Sequence, residues 1–183
     1  MSHSIHPEIE RVLISEQELQ TKIAELAARI SKDYKGRTPV FVGVLRGCLF
    51  FIADLMKQLT IDASIDFICP STYQGGTKST GVVRLLLDLR DSIEGKDVII
   101  VEDIVDSGLT MTYLLANLKT RKPRSIEVCT LLEKPSRRKA KVDVKYSCFD
   151  IPDEFVVGYG LDYEEIYRNL PYIGVLKPSR IKK

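Results

Sequence analysis

The sequence lacks any apolar run that approaches the roughly 20 residues needed for a membrane-spanning helix. Its first residues also lack the charged and apolar regions of a secretory signal peptide. No C-x-x-C pair is present, and no histidine neighbours a cysteine, which argues against disulfides and against a zinc site. The four cysteines are Cys48, Cys69, Cys129 and Cys148. We therefore expect reduced thiols and a cytoplasmic protein.

Large charge imbalance and internal repetition are absent as well. The formal net charge of +2 is too small to indicate nucleic acid or a membrane surface as a partner. Hydrophobic residues make up 44% and charged residues 28%, as in ordinary globular domains. Without a repeat or a low-complexity linker, we expect one domain over residues 1–183.

The chain does contain an alternation of helical and strand patterns. A capping-box spacing, Ser15 to Glu18, opens a helix over 16–32 with apolar residues at helical period. A second helix is predicted at 48–58 and a third at 110–119. Strands are predicted at 40–45, 63–68, 82–87, 97–101, 125–132 and 142–148, with a long glycine-rich loop at 71–81. Repeated strand-loop-helix order predicts an α/β fold with a mostly parallel sheet.

The segment from residue 98 to residue 110 carries the strongest chemical signal. A β-branched run leads into Glu102 and Asp103, and a loop with Asp106, Ser107 and Gly108 then opens a helix at Thr110. Ligands of α/β sheets bind beyond the carboxyl ends of strands, and a helix N-terminus there suits an anion. The alternative is that these residues only cap the helix and form a solvated turn. Neither a Walker loop nor a G-x-G-x-x-G fingerprint occurs.

Residues 102–110 resemble the phosphoribosyl-pyrophosphate motif of type I phosphoribosyltransferases. Further segments narrow the resemblance to the hypoxanthine-guanine phosphoribosyltransferases, and it spans roughly residues 12–178. These segments are 44–47, 71–73, 131–134, 151–159, 161–163 and 167–171. The resemblance implies a mostly parallel central sheet flanked by helices, with a small hood region built from the chain ends.

The resemblance also implies an activity. The enzyme would transfer the 5-phosphoribosyl group from phosphoribosyl pyrophosphate to N9 of hypoxanthine, and also of guanine, giving IMP or GMP and pyrophosphate. Mg²⁺ would accompany the pyrophosphate, and the subunits would form a homodimer or homotetramer. Two alternatives stay open: a relative that prefers xanthine or guanine, and a regulator that senses phosphoribosyl pyrophosphate and binds RNA or DNA.

The resemblance assigns the residues that hold phosphoribosyl pyrophosphate. Glu102 and Asp103 would hold the ribose hydroxyls, and Asp106 would be the general base that accepts the proton of purine N7. The cradle of the 5′-phosphate would consist of Asp106, Ser107, Gly108, Leu109 and Thr110. Arg46, Gly47 and Arg168 would contact pyrophosphate, the first two in a loop that often contains a non-proline cis peptide. Thr72 and Tyr73 would belong to the flexible loop 71–81 that closes over the site.

The base end of the site is implied in the same way. Lys134, a donor only, would bond the 6-oxo acceptor of the purine and reject the 6-amino group of adenine. Phe155 would stack on the base, Val156 would bind its edge through the backbone, and Asp162 would meet hydrated Mg²⁺. The candidate metal residues are Glu102, Asp103 and Asp162, without a cage made by protein alone. The alternatives are a surface role for Lys134, core packing for Phe155, and a structural ion pair for Asp162 or Arg168.

Overall fold

The structure is a computed structural model, and it describes residues 5–72 and 83–181. Its strands and helices follow one another in the order that the sequence patterns predict, with three additional short strands near the chain ends. The elements are β1 (Ile9–Ile14), α1 (Glu16–Asp33), β2 (Val40–Val44), α2 (Leu49–Gln58), β3 (Ser64–Thr72), β4 (Val83–Leu87), β5 (Asp97–Val105), α3 (Leu109–Lys119), β6 (Ser125–Glu133), β7 (Tyr146–Asp150), β8 (Val156–Val157) and β9 (Ile173–Leu176).

Six strands form a central sheet in the order β4-β3-β2-β5-β6-β7. All neighbours are parallel except β4, which pairs antiparallel with β3 at one edge. Helices α1 and α2 pack with Phe41, Ile99 and Cys129, whereas α3 packs with the alternate residues, such as Val42 and Ile100. Because both faces are covered, the central strands need no polar alternation. The predicted fold class is confirmed.

Helix α1 shows why the local sequence folds as predicted. The Glu18 amide donates to Ser15 Oγ, and the Glu18 carboxylate accepts the Ser15 amide at 2.8 Å, which completes the capping box. The apolar residues at helical spacing are all buried: Leu19, Ile23, Leu26, Ala27 and Ile30. The helix ends one residue later than the sequence pattern indicates.

A second, smaller sheet lies beside the first. Strands β1, β9 and β8 pair antiparallel in that order, and we call this three-stranded sheet the hood. It joins residues near both ends of the chain, since Ile9 lies opposite Leu176 and Ile14 lies opposite Ile173. The hood that the resemblance implies is therefore present.

Several predicted boundaries are wrong. Strand β5 does not end at residue 101 but continues to Val105, because Glu102, Ile104 and Val105 keep their pairing with β6. Strand β3 extends through Thr72, paired with β4, so the predicted loop does not begin at residue 71. Strand β7 begins at Tyr146 rather than at residue 142, at the predicted edge position. Residues 73–82, which include Tyr73 and most of the predicted loop, lie outside the described residues.

The four cysteine side chains differ in their burial. All four cysteines lie among the described residues and all are free thiols, with Cys48 and Cys129 buried. Burial raises the pKa of the Cys148 thiol to about 12, so this thiol stays protonated at neutral pH. In residues 5–72 and 83–181, no helix has both the length and the apolar character required to cross a bilayer.

Candidate active site

The candidate site residues gather at the carboxyl ends of β2, β5 and β6, with the loop before β9 facing them. Asp106 follows directly on β5, and Lys134 follows directly on β6. The Lys134 amide donates to the Val105 carbonyl at 3.2 Å, which places Lys134 beside Asp106. Two clefts open here, and Ile104 and Asp106 line both.

The first cleft, of about 100 Å³, surrounds the loop 106–110, which we call the anion cradle. Gly108 has φ +82°, and a Cβ there would lie 2.9 Å from the Ala140 carbonyl, so the tight turn requires glycine. The amides of Lys139 and Ala140 donate to the Ser107 carbonyl and hold the turn in place. Helix α3 begins at Leu109, so its N-terminal amides face the cradle, as an anion site requires.

The acid pair Glu102 and Asp103 lies within the last part of β5, behind the anion cradle. Burial raises the pKa of Glu102 well above its usual value, and the nearby Asp103 carboxylate raises it further. Burial also raises the pKa of Asp103, although the Glu102 side chain and the Ile104 amide act in the opposite direction. Ionisation of both carboxyl groups is therefore unfavourable without a ligand. A ligand that brings hydroxyl donors or a cation would favour their ionised forms.

Gly47 permits the close approach of a neighbouring loop to the acid pair. A Cβ on Gly47 would lie 1.7 Å from Asp103 Oδ2, so only glycine fits. The loop that carries Arg46 is thus packed directly against the acid pair. The peptide bond between Leu45 and Arg46 is cis, one bond before the Arg46–Gly47 pair named from the sequence.

Asp106 forms an ion pair in this structure. Its Oδ1 lies 3.0 Å from Arg137 Nε, and Arg137 Nη1 lies 3.2 Å from Asp153 Oδ1. Arg137 therefore bridges the anion cradle to the loop that precedes β8. Because Asp106 lines both clefts, its carboxylate faces any ligand that spans them.

The second cleft, of about 220 Å³, is lined by Lys134, Phe155, Val156 and Asp162 among others, and we call it the aromatic cleft. Lys134 is buried, and its Nζ donates to the Glu154 carbonyl at 2.7 Å. The alternative of a solvated surface lysine is therefore wrong. Phe155 is 41% exposed and meets Tyr163 edge-to-face, so core packing does not explain it either.

Four charged side chains form a cluster at the rim of the clefts. Arg168 Nη2 lies 2.8 Å from Asp162 Oδ1 and 3.3 Å from Glu165 Oε2. Arg46 Nη1 lies 2.7 Å from the same Glu165 oxygen. Asp162 and Arg168 thus form an ion pair with each other, which agrees with the alternative of a structural ion pair. Asp162 nevertheless lines the second cleft, so the pair also lies at the candidate site.

Sequence reasoning missed Arg137 and Glu165. Arg137 looked like part of a basic surface run, but the 3₁₀ turn Pro135–Arg137 brings it to the side of Lys134. The Lys134 carbonyl accepts the Arg137 amide at 3.1 Å, and a spacing of three residues is the period of such a turn. Pro135, directly after Lys134, was the sequence signal that could have predicted this turn. Glu165 has no such signal, because its position depends on left-handed backbone at Glu164, Glu165 and Tyr167.

The arrangement of the acidic side chains bears on how a cation could bind. Among the residues that the structure describes, no group of three acidic, histidine or cysteine side chains could enclose a metal ion. Mg²⁺ commonly binds through one or two carboxylates together with substrate phosphates and water. Glu102 and Asp103 are two adjacent, partly buried carboxylates, which is the number of protein ligands that such binding uses.

Comparisons with known proteins agree with this architecture. Residues 13–164 match the family model described as the phosphoribosyl transferase domain. A hypoxanthine-guanine phosphoribosyltransferase of Staphylococcus aureus is 51% identical over 175 residues, which cover 96% of this chain and 98% of the relative. The bifunctional protein TilS/HprT of Listeria monocytogenes is 50% identical over 97% of this chain, which corresponds to 28% of that protein.

Solved structures show the same fold. A crystal structure of a hypoxanthine phosphoribosyltransferase from Staphylococcus aureus superposes with a TM-score of 0.94 at 49% identity, with 100% of both chains covered. The hypoxanthine phosphoribosyltransferase of Trypanosoma cruzi, in complex with the product IMP, gives a TM-score of 0.92 at 42% identity. That match covers 98% of this chain and 100% of the other.

Proposed function

This chain belongs to the phosphoribosyltransferase family, among the hypoxanthine-guanine phosphoribosyltransferases, and on that premise we propose that it salvages 6-oxopurine bases. It transfers the 5-phosphoribosyl group from phosphoribosyl pyrophosphate to N9 of hypoxanthine, and also of guanine, giving IMP or GMP and pyrophosphate. One observation carries the proposal. Asp106 stands between an anion cradle and an aromatic cleft in which a buried lysine provides hydrogen-bond donors.

The phosphoribosyl end of the substrate fits the first cleft. The 5′-phosphate binds the cradle formed by Asp106, Ser107, Gly108, Leu109 and Thr110, where helix α3 contributes its positive N-terminal end. The ribose hydroxyls reach the acid pair Glu102 and Asp103. Hydroxyl donors stabilise carboxylates that burial otherwise disfavours, so binding and ionisation of the pair favour each other.

In the chemical step, the bond between purine N9 and ribose C1′ forms while the bond from C1′ to the pyrophosphate oxygen breaks. The purine becomes positively charged as this happens, and Asp106 accepts the proton of N7. Arg137 holds the Asp106 carboxylate at 3.0 Å before a base arrives, so the purine must enter beside this ion pair. General-base catalysis of this kind contributes about 10²- to 10⁴-fold to the rate.

Base selection follows from Lys134. An ammonium has three donors and no acceptor, and the Glu154 carbonyl takes one of the donors. The remaining donors match the 6-oxo group of hypoxanthine or guanine and leave the 6-amino group of adenine unpaired. Phe155 covers the face of the base, and the backbone of Val156 meets its edge. A buried donor without a partner costs more binding free energy than the loss of a contact alone. The discrimination against adenine should therefore be strong.

The pyrophosphate group lies at the rim, beside Arg46, Gly47 and Arg168. Mg²⁺, when bound, would be held by Glu102, Asp103 or Asp162 together with substrate oxygens, and it would neutralise charge on the leaving pyrophosphate. Thr72 is the last residue of β3 and therefore does not belong to a loop, and Tyr73 lies outside the described residues.

We further propose that the whole chain acts as one domain in the cytoplasm and as a homodimer or homotetramer. Leu49 and Phe50 on α2 are 50% and 39% exposed, so their apolar surface is available for a subunit contact. Ile52, considered with them from the sequence, is buried in the core and takes no part.

A panel of bases tests the proposal. Purified protein, phosphoribosyl pyrophosphate and Mg²⁺ are mixed separately with hypoxanthine, guanine, xanthine and adenine, and nucleotide formation is followed by absorbance. Turnover of hypoxanthine and guanine, with none of adenine, is the expected result. If phosphoribosyl pyrophosphate binds but no base is converted, the enzyme assignment fails and a sensor of this metabolite takes its place.

A further inference from the structure

Glu165 is the residue on which both arginines of the rim converge. Arg46 and Arg168 contact the same oxygen, Glu165 Oε2, at 2.7 and 3.3 Å. Arg46 comes from the loop after β2, and Arg168 comes from the segment before β9, so one carboxylate joins two separate parts of the chain. Carboxylate and phosphate oxygens offer arginine the same kind of charged acceptor. The Glu165 carboxylate therefore offers the two guanidinium groups a negatively charged acceptor oxygen, as a pyrophosphate would.

The backbone around Glu165 is held in an uncommon conformation. Glu164, Glu165 and Tyr167 have φ values of 52°, 64° and 75°, in the left-handed region that residues other than glycine rarely adopt. The Glu165 amide donates to Asp162 Oδ2 at 2.8 Å, which fixes the turn next to the arginines. Strained conformations of this kind persist where the surrounding structure enforces them, and they concentrate at ligand-binding sites.

The side chain of Glu165 lies at the surface, where a competing anion can displace it. It is 64% exposed, and Arg46 is 68% exposed, so the contact between them lies at the surface. A surface ion pair is weak, because water and salt screen it. A more highly charged anion that reaches both arginines would displace the carboxylate without a change in the fold.

We propose that Glu165 is a positioning residue that holds Arg46 and Arg168 in the ligand-free enzyme and competes with pyrophosphate for them. This inference rests on the proposed function, since it takes the two arginines to be the pyrophosphate contacts. By occupying both guanidinium groups, Glu165 lowers the affinity for phosphoribosyl pyrophosphate and for the product pyrophosphate alike. When the Glu165 carboxylate binds the two arginines again, it favours the release of the product pyrophosphate.

Removal of the charge at Glu165 should strengthen the binding of both anions. Glu165→Gln keeps the size of the side chain and its acceptor oxygen but loses the charge that attracts the arginines. The dissociation constant for pyrophosphate should fall about two- to tenfold, which is the range that one or two exposed ion pairs supply. KM for phosphoribosyl pyrophosphate should fall by a similar factor while KM for hypoxanthine stays unchanged.

The matched control is Glu164→Gln, which removes a neighbouring carboxylate whose charge acts on Arg180 instead. Inorganic pyrophosphate is titrated into each protein by calorimetry in the presence of Mg²⁺, and product inhibition by pyrophosphate is measured alongside. Tighter binding and stronger inhibition in Glu165→Gln, with Glu164→Gln like the wild type, are expected.

Equal or weaker binding of pyrophosphate by Glu165→Gln would overturn the inference, because Glu165 would then only organise the arginines. A rise in KM for phosphoribosyl pyrophosphate in this variant would overturn it for the same reason. A wild-type protein that binds no pyrophosphate at all would refute the proposed function first, and the inference with it.

Discussion

The substitution Gly160→Ala should separate the two loops that hold the pyrophosphate end of the site. Gly160 has φ +106°, and a Cβ there would lie 2.0 Å from the Gly47 carbonyl oxygen. Gly47 is itself in close contact with the Asp103 carboxylate, which restricts its movement on that side. The Gly160 carbonyl also accepts Arg168 Nη1 at 2.7 Å. The new methyl group therefore pushes Arg168 and the Arg46–Gly47 loop apart.

The expected loss is large and has two parts. A left-handed backbone costs an L-residue about 1–2 kcal/mol. The loops must also open by about 1 Å or more, and a displacement of about 1 Å in a catalytic arrangement costs roughly 10²-fold in rate. The assay is kcat/KM for phosphoribosyl pyrophosphate at saturating hypoxanthine, together with the melting temperature.

Gly36→Ala is the matched control, because Gly36 has φ +77° but a Cβ there would meet no atom within 4 Å. It too places an L-residue at positive φ, so it should lower Tm by about 2–4 °C for each kcal/mol of that cost and keep the wild-type kcat/KM. If Gly160→Ala retained kcat/KM within about threefold of the control, the steric account of this contact would be refuted.

Three further predictions concern ionisable side chains in the site and in the core. Lys134→Met should lower kcat/KM for hypoxanthine by about 10- to 10²-fold without a gain for adenine, as expected for the loss of one charged hydrogen bond. Glu102→Gln should raise the Tm of the ligand-free protein and weaken binding of phosphoribosyl pyrophosphate. Since the folded-state pKa of Glu102 lies above the ordinary 4.5, wild-type stability should fall as pH rises through that window, and urea titrations should show less of this fall in the variant. The Arg124 guanidinium lowers the pKa of Asp97 from 3.8 to about 2, so the stability that Asp97 contributes is present above pH 3.8 and lost as pH falls towards 2. Acid unfolding of Asp97→Asn, followed by circular dichroism, should lack that component.

The central sheet could be predicted from sequence because its signals are local. Capping at Ser15 and the buried face of α1 are set by residues three or four apart, and the run at Ile99 and Ile100 reports burial on both faces. The hood could not be predicted in the same way. Strands β1, β8 and β9 have only two to six residues, and β1 pairs with β9 from the opposite end of the chain.

In the candidate site, too, residues with a local sequence signal could be predicted and the others could not. Glu102, Asp103 and Asp106 belong to one continuous motif, and the structure brings that motif together with Lys134, Phe155 and Asp162. Arg137 and Glu165 were missed, because turn geometry and left-handed backbone place them, and no periodic pattern encodes either. The extension of β5 was missed because its polar end looks like a loop until the partner strand is known.

The role of Asp106 is the central claim, and Asp106→Asn tests it most directly. The amide keeps the shape of the side chain and removes its capacity to accept a proton from the purine. Rapid-mix single turnovers with hypoxanthine give the rate of the chemical step, and calorimetry gives the affinity for phosphoribosyl pyrophosphate. We predict a rate about 10²- to 10⁴-fold lower, with affinity within about threefold of the wild type. A single-turnover rate equal to that of the wild type would contradict the account.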